Sequence, residues 1–391
     1  MWKRKVSIFI GSRANYSSAK PIIKRLKDTK NIELQIIVGA SAVSRKYGNL
    51  KDIINDDGFE IDVECHFLLE ENIPLNMAQT CGLGLINIAN ALNSLSPDCL
   101  IIIGDRYEML AATVAAAYMN IPILHTMGGE VTGTIDESVR HAISKFASFH
   151  FVANQDAATR LIRMGEVPET VFNVGCPRID HIKNVLDETP DSRQYLADSG
   201  LADGGVGADI DFSRDRFIIY IFHPVTTEYN SDDECIKILI KKLSALDLKV
   251  VALWPNSDAG SDKISKIYRQ NREQGNLRNF RFYRNLELDS YIHCMNSAAC
   301  IVGNSSSGIR DSAFIGLPTI NIGTRQNRRL RGFNVIDVDA NLDNLNEAII
   351  SQLNKIKFDS DHCYGDGNAA GKMAAIIPEI DLTNTQKTIT Y

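Results

Sequence analysis

Short runs of β-branched and other apolar residues alternate with amphipathic segments along almost the whole chain of 391 residues. Runs such as Cys99 to Ile103 lack the polar alternation of a half-exposed strand, as expected for strands buried on both faces. This alternation is typical of α/β folds, in which helices cover both faces of parallel sheets. We predict strands, most of them followed by a helical pattern, at 6–11, 34–39, 99–104, 121–125, 149–153, 171–174, 216–222, 248–253, 279–283, 299–303, 318–322 and 333–338.

The length of the chain and an internal break predict two domains. With 44% apolar residues the chain is globular, and it is too long for one core. The halves echo each other, because a strand leads to Gly104 and Asp105 in one and to Gly303 and Asn304 in the other. We expect two Rossmann-like doubly wound domains facing a central cleft, which suits a nucleotide-linked substrate. The expected limits are an amino-terminal domain at 1–186, a polar, glycine-rich linker at 187–215, a carboxy-terminal domain at 216–375 and a tail at 376–391.

Composition excludes several classes of function. A formal net charge of -6 argues against sequence-independent nucleic-acid binding. No stretch approaches the roughly 20 apolar residues of a membrane helix. The eight cysteines form no Cys-x-x-Cys pair and lie in or beside apolar runs. We interpret them as reduced core residues of a cytoplasmic protein, without a disulfide frame or metal site, whose partner is a small molecule.

Titratable residues gather where predicted strands end, which is where open α/β sheets bind ligands. Asp105 follows a strand, and it is either an acid or base, a ligand of a hydroxyl, or the cap of the next helix. Asp136 and Glu137 follow a glycine-rich turn, and they are either catalytic or favourable first-turn acids of a helix. His223 also ends a strand, where the alternative is a histidine satisfied by the backbone.

A second group of residues predicts a phosphate site. Gly-Asn-Ser-Ser-Ser-Gly at 303–308 precedes a helical run and is either a diphosphate site or an ordinary serine cap. Arg325 and Arg13, each after a predicted strand, favour the diphosphate. The absence of a dinucleotide fingerprint or P-loop disfavours NAD and ATP. The neighbouring Arg328, Arg329 and Arg331 are either a solvated loop or an oligomer contact.

Taken in order, the motifs resemble the hydrolysing UDP-N-acetylglucosamine 2-epimerases of sialic and legionaminic acid biosynthesis. The resemblance extends from about residue 6 to 340 and is carried by the segments at 11–16, 104–106, 125–143, 175–177, 222–228, 254–260 and 303–326. It implies a glycosyltransferase-B-like fold, no redox cofactor, and dimers or tetramers. It also implies the reaction, in which UDP is eliminated to leave a glycal and water then adds with inversion at C2.

The resemblance implies roles for individual residues. The amino-terminal domain would hold the sugar, with Asp105 as an acid or base. The carboxy-terminal domain would hold the nucleotide, with His223 serving the diphosphate or the proton transfers. The remaining implied site residues are Glu130, Asp136, Arg140 and His141 around the reaction centre, Arg106 on the substrate, Arg13, Ser305, Ser306 and Arg325 on phosphate, Asn256 near the nucleotide and Asp311 on the ribose.

One position departs from the resemblance. Many relatives carry a catalytic Glu two residues after the histidine that corresponds to His125, and here that position is Met127. Either Glu130 or Asp136 takes over, or the substrate is a modified sugar such as a UDP-2,4-diacetamido-2,4,6-trideoxyhexose, whose apolar substituent suits a thioether. The other hypotheses are a non-hydrolysing epimerase, a glycosyltransferase of the same fold and an inactive nucleotide-sugar sensor.

Overall fold

The computed structural model describes residues 3–48, 50–69, 71, 73–225, 233–255, 260–383 and 387–390. The chain forms two compact units. The first contains Met1–Val131, Ile135–His181 and Tyr364–Tyr391, and the second contains Thr132–Thr134 and Ile182–Cys363. Among the described residues, no helix combines the length and the apolar character needed to cross a bilayer.

The first unit is built on a parallel sheet of seven strands. They are β1 (Arg4–Ile10), β2 (Ile32–Gly39), β3 (Val63–Cys65), β4 (Cys99–Ile103), β5 (Ile123–Thr126), β6 (Phe149–Val152) and β7 (Val171–Asn173). Its helices are α1 (Arg13–Lys27), α2 (Leu50–Asp56), α3 (Pro74–Leu95), α4 (Tyr107–Tyr118), α5 (Asp136–Phe146), α6 (Gln155–Arg163), the start of α7 (Pro177–Glu188), and α14 (Ala369–Ile376). The strand order is β3-β2-β1-β4-β5-β6-β7.

The core of the first unit explains its uninterrupted apolar strands. All five residues of β4 are buried. Leu100 and Ile102 belong to one apolar cluster with Ile88 and Leu92 of α3 and Ala112 of α4. Burying a Leu or Ile side chain stabilises the fold by about 1.5–3 kcal/mol. Because both faces of β4 are buried, apolar side chains are favoured at every position of the strand.

The second unit repeats the plan. Its strands are β8 (Val206–Gly207), β9 (Phe217–Ile221), β10 (Lys249–Leu253), β11 (Phe280–Tyr283), β12 (Ile301–Gly303), β13 (Thr319–Ile322) and β14 (Val335–Val338), in the order β14-β13-β12-β9-β10-β11-β8. Only β8 is antiparallel among these described strands. The helices are the end of α7, α8 (Ser192–Asp198), α9 (Asp233–Ser244), α10 (Ser261–Glu273), α11 (Leu288–Ser297), α12 (Arg310–Ile315) and α13 (Leu345–Leu353).

The strand order reverses once in each sheet. In the first unit the reversal lies between β1 and β4, and in the second it lies between β9 and β12. Loops diverge at such a switch point and leave a crevice beyond the strand ends, where open α/β sheets bind ligands.

All twelve predicted strands are confirmed, whereas the predicted linker at 187–215 differs from the structure. That stretch continues α7, forms α8 and then adds β8 to the edge of the second sheet. Arg281 on β11 anchors it, because its guanidinium donates to the carbonyls of Gly204 at 2.7 Å and Ala208 at 2.9 Å. The polar, glycine-rich composition reflects a tight edge turn, since Gly205 and Gly207 adopt φ values of 72° and 129°.

The predicted boundary at 375 also differs from the structure. Residues 364–391 group with the first unit, although we expected 216–375 to form one domain and 376–391 a tail. The Asp180 carboxylate fastens α14 there by accepting hydrogen bonds from the N–H groups of Ala369 and Ala370 at 2.9 and 2.7 Å. A carboxylate at a helix amino terminus is favourable, but this pairing is invisible in the sequence.

Candidate active site

The turn after β1 forms one wall of the first switch point. Ser12 caps α1 by accepting from the Asn15 N–H at 3.2 Å, and the Asn15 amide donates to the Ile103 carbonyl at 3.0 Å. Gly11 is required, because a Cβ at this residue would lie 2.5 Å from Cγ of the buried Glu108. Arg13, predicted to hold phosphate, is the half-buried first residue of α1.

An ion pair closes the opposite wall, after β4. The Arg140 guanidinium, which is almost fully buried, binds the Asp105 carboxylate and donates to the Glu130 carbonyl at 2.9 Å. Asp105 keeps 22% of its side chain exposed, and Glu130 is 3% exposed. Two of the predicted site residues therefore bind a third, the buried cation Arg140. The ion pair fixes the orientation of the partly exposed Asp105 carboxylate.

Arg106 points to a different partner. Its Nε donates to Glu108 Oε1 at 2.8 Å, and Glu108 is 1% exposed. Arg106 thus compensates the buried acid beneath Gly11. Its predicted role in substrate binding remains a prediction.

The turn after β5 is shaped by close packing. Met127 has a φ of 67°, is 7% exposed, and donates its N–H to the Phe151 carbonyl at 2.9 Å. A Cβ on Gly128 would lie 2.7 Å from His125 Nδ1, and one on Gly129 would lie 2.5 Å from the Ala157 carbonyl. The turn therefore holds a buried thioether at Met127, where the resemblance led us to expect a carboxylate.

His125 forms the internal frame of the site. Its Nε2 lies 2.9 Å from the Gly104 carbonyl, which can only accept, so this nitrogen carries the proton. Its Nδ1 lies 3.1 Å from Ser144 Oγ. Burial lowers the pKa of His125 to about 3, which keeps the ring neutral. His125 therefore links the end of β4 to α5 as a structural residue.

The amino-terminal half of α5 presents the remaining predicted groups of this unit. Asp136 and Glu137 occupy its first turn, where acids favour the helix dipole. Burial and the adjacent Arg140 charge lower the pKa of His141, so this imidazole is neutral near pH 7. His141 Nε2 lies 3.8 Å from Glu137 Oε1. These positions fit catalytic acids, and they equally fit acids that only stabilise the first turn of α5.

The second switch point is held by Asn304. Its Oδ1 accepts from the His223 N–H and its Nδ2 donates to the His223 carbonyl, both at 2.8 Å. Gly303 precedes it with a φ of 137°, and a Cβ there would lie 1.8 Å from the Ile221 carbonyl. The loops after β9 and β12 are thereby joined through the His223 backbone, and the His223 side chain is half-buried.

Three of the predicted phosphate residues, Ser305, Ser306 and Arg325, lie in or beside the same loop. Ser305 Oγ accepts from the Ser307 N–H at 3.3 Å and so caps the short 3₁₀ turn Ser306–Gly308, whereas the amino terminus of α12 has no side-chain cap. Arg325 Nη1 donates to the Asn304 carbonyl at 3.2 Å. Ser306 is half-buried, while Asp311 on α12 is 1% exposed. Asn256, together with Glu228 of the 222–228 motif, lies outside the described residues.

The basic cluster after β13 has two kinds of member. Arg329 is 6% exposed and donates to Gln326 Oε1 at 2.9 Å, and Arg331 pairs with Asp337 Oδ2 at 2.7 Å. Arg328 alone of the three is exposed, with a φ of 61°. Arg329 and Arg331 therefore brace their own loop and are not freely solvated side chains, while an oligomer contact stays a prediction.

The sequence reasoning missed two framing residues, Asn304 and Ser144. Asn304 carried a signal, because it lies inside the 303–308 motif directly after a glycine. Ser144 carried none, since a mid-helix serine has many uses. Among the described residues, no group of three or more His, Cys, Asp or Glu side chains is arranged to hold a metal ion.

Similar proteins agree with this architecture. The family described as UDP-N-acetylglucosamine 2-epimerase matches residues 24–378. A UDP-N,N'-diacetylbacillosamine 2-epimerase (hydrolyzing) from Legionella pneumophila is 35% identical over 97% of each chain. A GDP/UDP-N,N'-diacetylbacillosamine 2-epimerase (hydrolyzing) from Campylobacter jejuni is 33% identical, over 87% of this chain and 86% of that protein.

A solved structure matches in fold. The UDP-GlcNAc 2-epimerase from Neisseria meningitidis, bound to UDP-GlcNAc, superposes with a TM-score of 0.77 at 16% identity, over 96% of this chain and 100% of that one. The two Rossmann-like sheets are thus those of the glycosyltransferase-B-like 2-epimerases. With a family match over most of its length and a relative 35% identical along nearly all of it, this chain belongs to the UDP-N-acetylglucosamine 2-epimerase family.

Proposed function

We propose that the protein is a hydrolysing 2-epimerase, which converts a UDP-linked 2-acetamido sugar and water to the free C2-inverted sugar and UDP. The observation that carries this proposal is the identity of 35% along 97% of a relative named as a hydrolysing 2-epimerase. The ion pair of Asp105 and Arg140 at the first switch point supplies a chemical centre for it.

The reaction needs proton transfers in both halves. A base removes the C2 proton, the C1–O bond breaks with its electron pair leaving on UDP, and a C1–C2 double bond remains. Water then adds its oxygen to C1 while an acid returns a proton to the other face of C2. We assign these transfers to Asp105, Glu130 and Asp136, with Arg140 orienting Asp105 and His141 lining the reaction centre.

The departure of UDP needs stabilisation of the diphosphate charge. We assign this role to Arg13, Arg325 and the hydroxyls of Ser305 and Ser306, with His223 serving the diphosphate or the proton transfers. Arg325 and His223 are both hydrogen-bonded to Asn304, which supports a shared role. Asn256 and Asp311 complete the proposed nucleotide contacts, with Arg106 on the substrate.

We further propose that the sugar is a 2,4-diacetamido-2,4,6-trideoxyhexose. Met127 supports this assignment, because a buried thioether matches an apolar methyl group and cannot exchange a proton. The names of the Legionella and Campylobacter relatives specify N,N'-diacetylbacillosamine, which fits the same substituents. UDP-N-acetylglucosamine is the second candidate, supported by the fold shared with the Neisseria enzyme.

Turnover of the UDP-linked diacetamido sugar and of UDP-N-acetylglucosamine in deuterated water tests both the proposed reaction and the proposed sugar. We expect UDP and a free C2-inverted sugar that carries deuterium at C2, formed faster from the diacetamido substrate. Preference for UDP-N-acetylglucosamine would reject the sugar assignment alone. A nucleotide-linked product would indicate a non-hydrolysing epimerase, a glycoside formed with an added acceptor would indicate a glycosyltransferase, and binding without turnover would indicate a sensor.

The product suggests the next reaction. A free 2-acetamido sugar exposes an aldehyde at C1, which is the group that condensation with a three-carbon acid requires. We therefore place the enzyme in nonulosonic acid biosynthesis, the class that includes sialic and legionaminic acids.

The surface of α3 supports a homodimer or homotetramer. This helix of 22 residues contains no charged residue, and Leu75, Leu83 and Ile86 are 61%, 40% and 59% exposed on one stripe. Apolar stripes of this kind are typical of protein interfaces. Light scattering of Ile86→Lys should give a smaller species than the parent, and an unchanged mass would reject this surface as the interface.

A further inference from the structure

The last described residues, 387–390, lie against the first unit. The Thr390 N–H donates to the Gly165 carbonyl at 3.2 Å. Gly165 has a φ of 89°, and an added Cβ there would lie 3.0 Å from both the Thr390 carbonyl and Ile389 Cγ2. Residues 389 and 390 are therefore held at the turn that follows α6.

This placement brings the Lys387 ammonium to the carboxyl end of α5. Lys387 Nζ donates to the carbonyls of Ala147 at 2.6 Å and Ser144 at 3.1 Å, and to Glu166 Oε2 at 2.5 Å. An ammonium has three donors, and here each one meets an acceptor. The last carbonyls of a helix lack partners within the helix, and a cation there also favours its dipole.

The same helix carries the proposed reaction centre at its other end. Asp136, Arg140 and His141 lie one to two turns before Ser144. The Ser144 hydroxyl lies 3.1 Å from His125 Nδ1 and 3.0 Å from the Arg140 carbonyl. A shift of α5 at Ser144 would thus be transmitted to Arg140 and to the Asp105 carboxylate that it holds.

Glu166 gives Lys387 a fixed anchor. Its carboxylate is 1% exposed and also binds Lys145 Nζ at 2.7 Å and His150 Nε2 at 3.0 Å. Although burial alone raises its pKa, the hydrogen bonds from His150, Lys145 and Lys387 hold the pKa of Glu166 at about 2. Because Lys145 still balances Glu166 after loss of Lys387, the fold should survive that substitution.

We propose that Lys387 is a positioning residue for the epimerase, a clamp from the carboxy-terminal segment that fixes α5 and thereby the Asp105–Arg140 pair. The clamp rests on the proposed function for its catalytic consequence. Its structural part stands on the contacts of Lys387 alone.

The test compares Lys387→Met with Lys372→Met. Lys372 belongs to the same carboxy-terminal segment, and its ammonium binds the exposed Asp366 at 3.0 Å. We expect Lys387→Met to lower kcat about tenfold with little change in KM, because a small displacement of a catalytic group lowers the rate without weakening binding. Amide hydrogen exchange in α5 should become faster, Lys387→Arg should recover part of kcat, and Lys372→Met should resemble the parent.

The outcomes separate the clamp from the activity. Parental exchange in α5 of Lys387→Met would overturn the clamp, and faster exchange with parental kcat would overturn its positioning role. If the parent turns over no nucleotide sugar, the proposed function fails, while the exchange measurement still decides whether Lys387 holds α5.

Discussion

Asp105 and Arg140 show how one buried cation organises a reaction centre. Arg140 is 1% exposed and binds both the Asp105 carboxylate and the Glu130 carbonyl. These residues come from the ends of two neighbouring strands and from a helix that begins six residues after Glu130. Arg140 therefore fixes the position of Asp105 relative to the loop after β5.

Replacing Asp105 tests the assignment of the proton transfers. Asp105→Asn keeps the shape but removes the ability to exchange a proton, so we expect kcat to fall by about 100-fold or more. Asp156→Asn is the matched control, because Asp156 pairs with Arg160 on the surface at 2.8 Å and is 55% exposed. Parental kcat in Asp105→Asn would transfer the role to Glu130 or Asp136.

His125 should make stability depend on pH. Its folded pKa of about 3 lies below the ordinary value of 6.5, so the unfolded chain binds this proton first and stability falls as the pH drops from 6.5 towards 3. Between pH 7.5 and 5.5 this group alone should remove about 1.4 kcal/mol from the free energy of unfolding.

Urea unfolding at the two pH values measures this contribution. His125→Gln should lose less stability on acidification than the parent, whereas His66→Gln should behave like the parent because the His66 side chain is 67% exposed. Equal pH dependence in His125→Gln and the parent would contradict the neutral buried form.

At the scale of elements, most strands of both sheets could be predicted from the sequence. Each of the twelve predicted strands is an apolar run, most of them are followed by a helical pattern, and these signals are local in the sequence. The missed strands β3 and β8 have three and two residues, too few for any periodicity. The candidate site was predictable where residues follow a strand directly, as Asp105 does, because the strand end fixes their location.

The remaining features depend on contacts between distant residues. Two examples are long-range hydrogen bonds. Asn304 binds His223, which is 81 residues away in the chain. Arg281 holds the 204–208 turn, which is about 75 residues away. The polar, glycine-rich composition around the 204–208 turn is typical of a linker, which is why we predicted one there. The pairing that created the edge strand became visible only in the structure.

Gly303 tests the packing at the second switch point. In Gly303→Ala the added methyl would lie 1.8 Å from the Ile221 carbonyl at a φ of 137°, so we expect a loss of about 3 kcal/mol or more. Gly82→Ala is the opposite case, because no atom lies within 4 Å and α3 should gain about 0.5–1 kcal/mol. Denaturant unfolding of both variants measures the sign of the change in the free energy of unfolding. A Gly303→Ala variant as stable as the parent would contradict the close approach of β9 and β12.

At the scale of the whole molecule, the first unit is assembled from both ends of the chain. Asp180 joins them through its two hydrogen bonds to the start of α14. Asp180→Ala should cost about 1–2 kcal/mol, as expected for loss of a capping carboxylate. Asp198→Ala, at an exposed position on α8, should leave the unfolding midpoint unchanged. A parental midpoint in Asp180→Ala would show that α14 is held by its apolar face alone.

This division of the chain has a consequence for biosynthesis. The ribosome makes residues 182–363 before it makes 364–391, so the second unit is complete while the first still lacks α14 and the Lys387 contacts. Domains generally fold as units during synthesis, usually the amino-terminal one first. Here the second unit is synthesised in full before the first, so a nascent chain that has not yet reached residue 364 would carry all of the second unit and only part of the first.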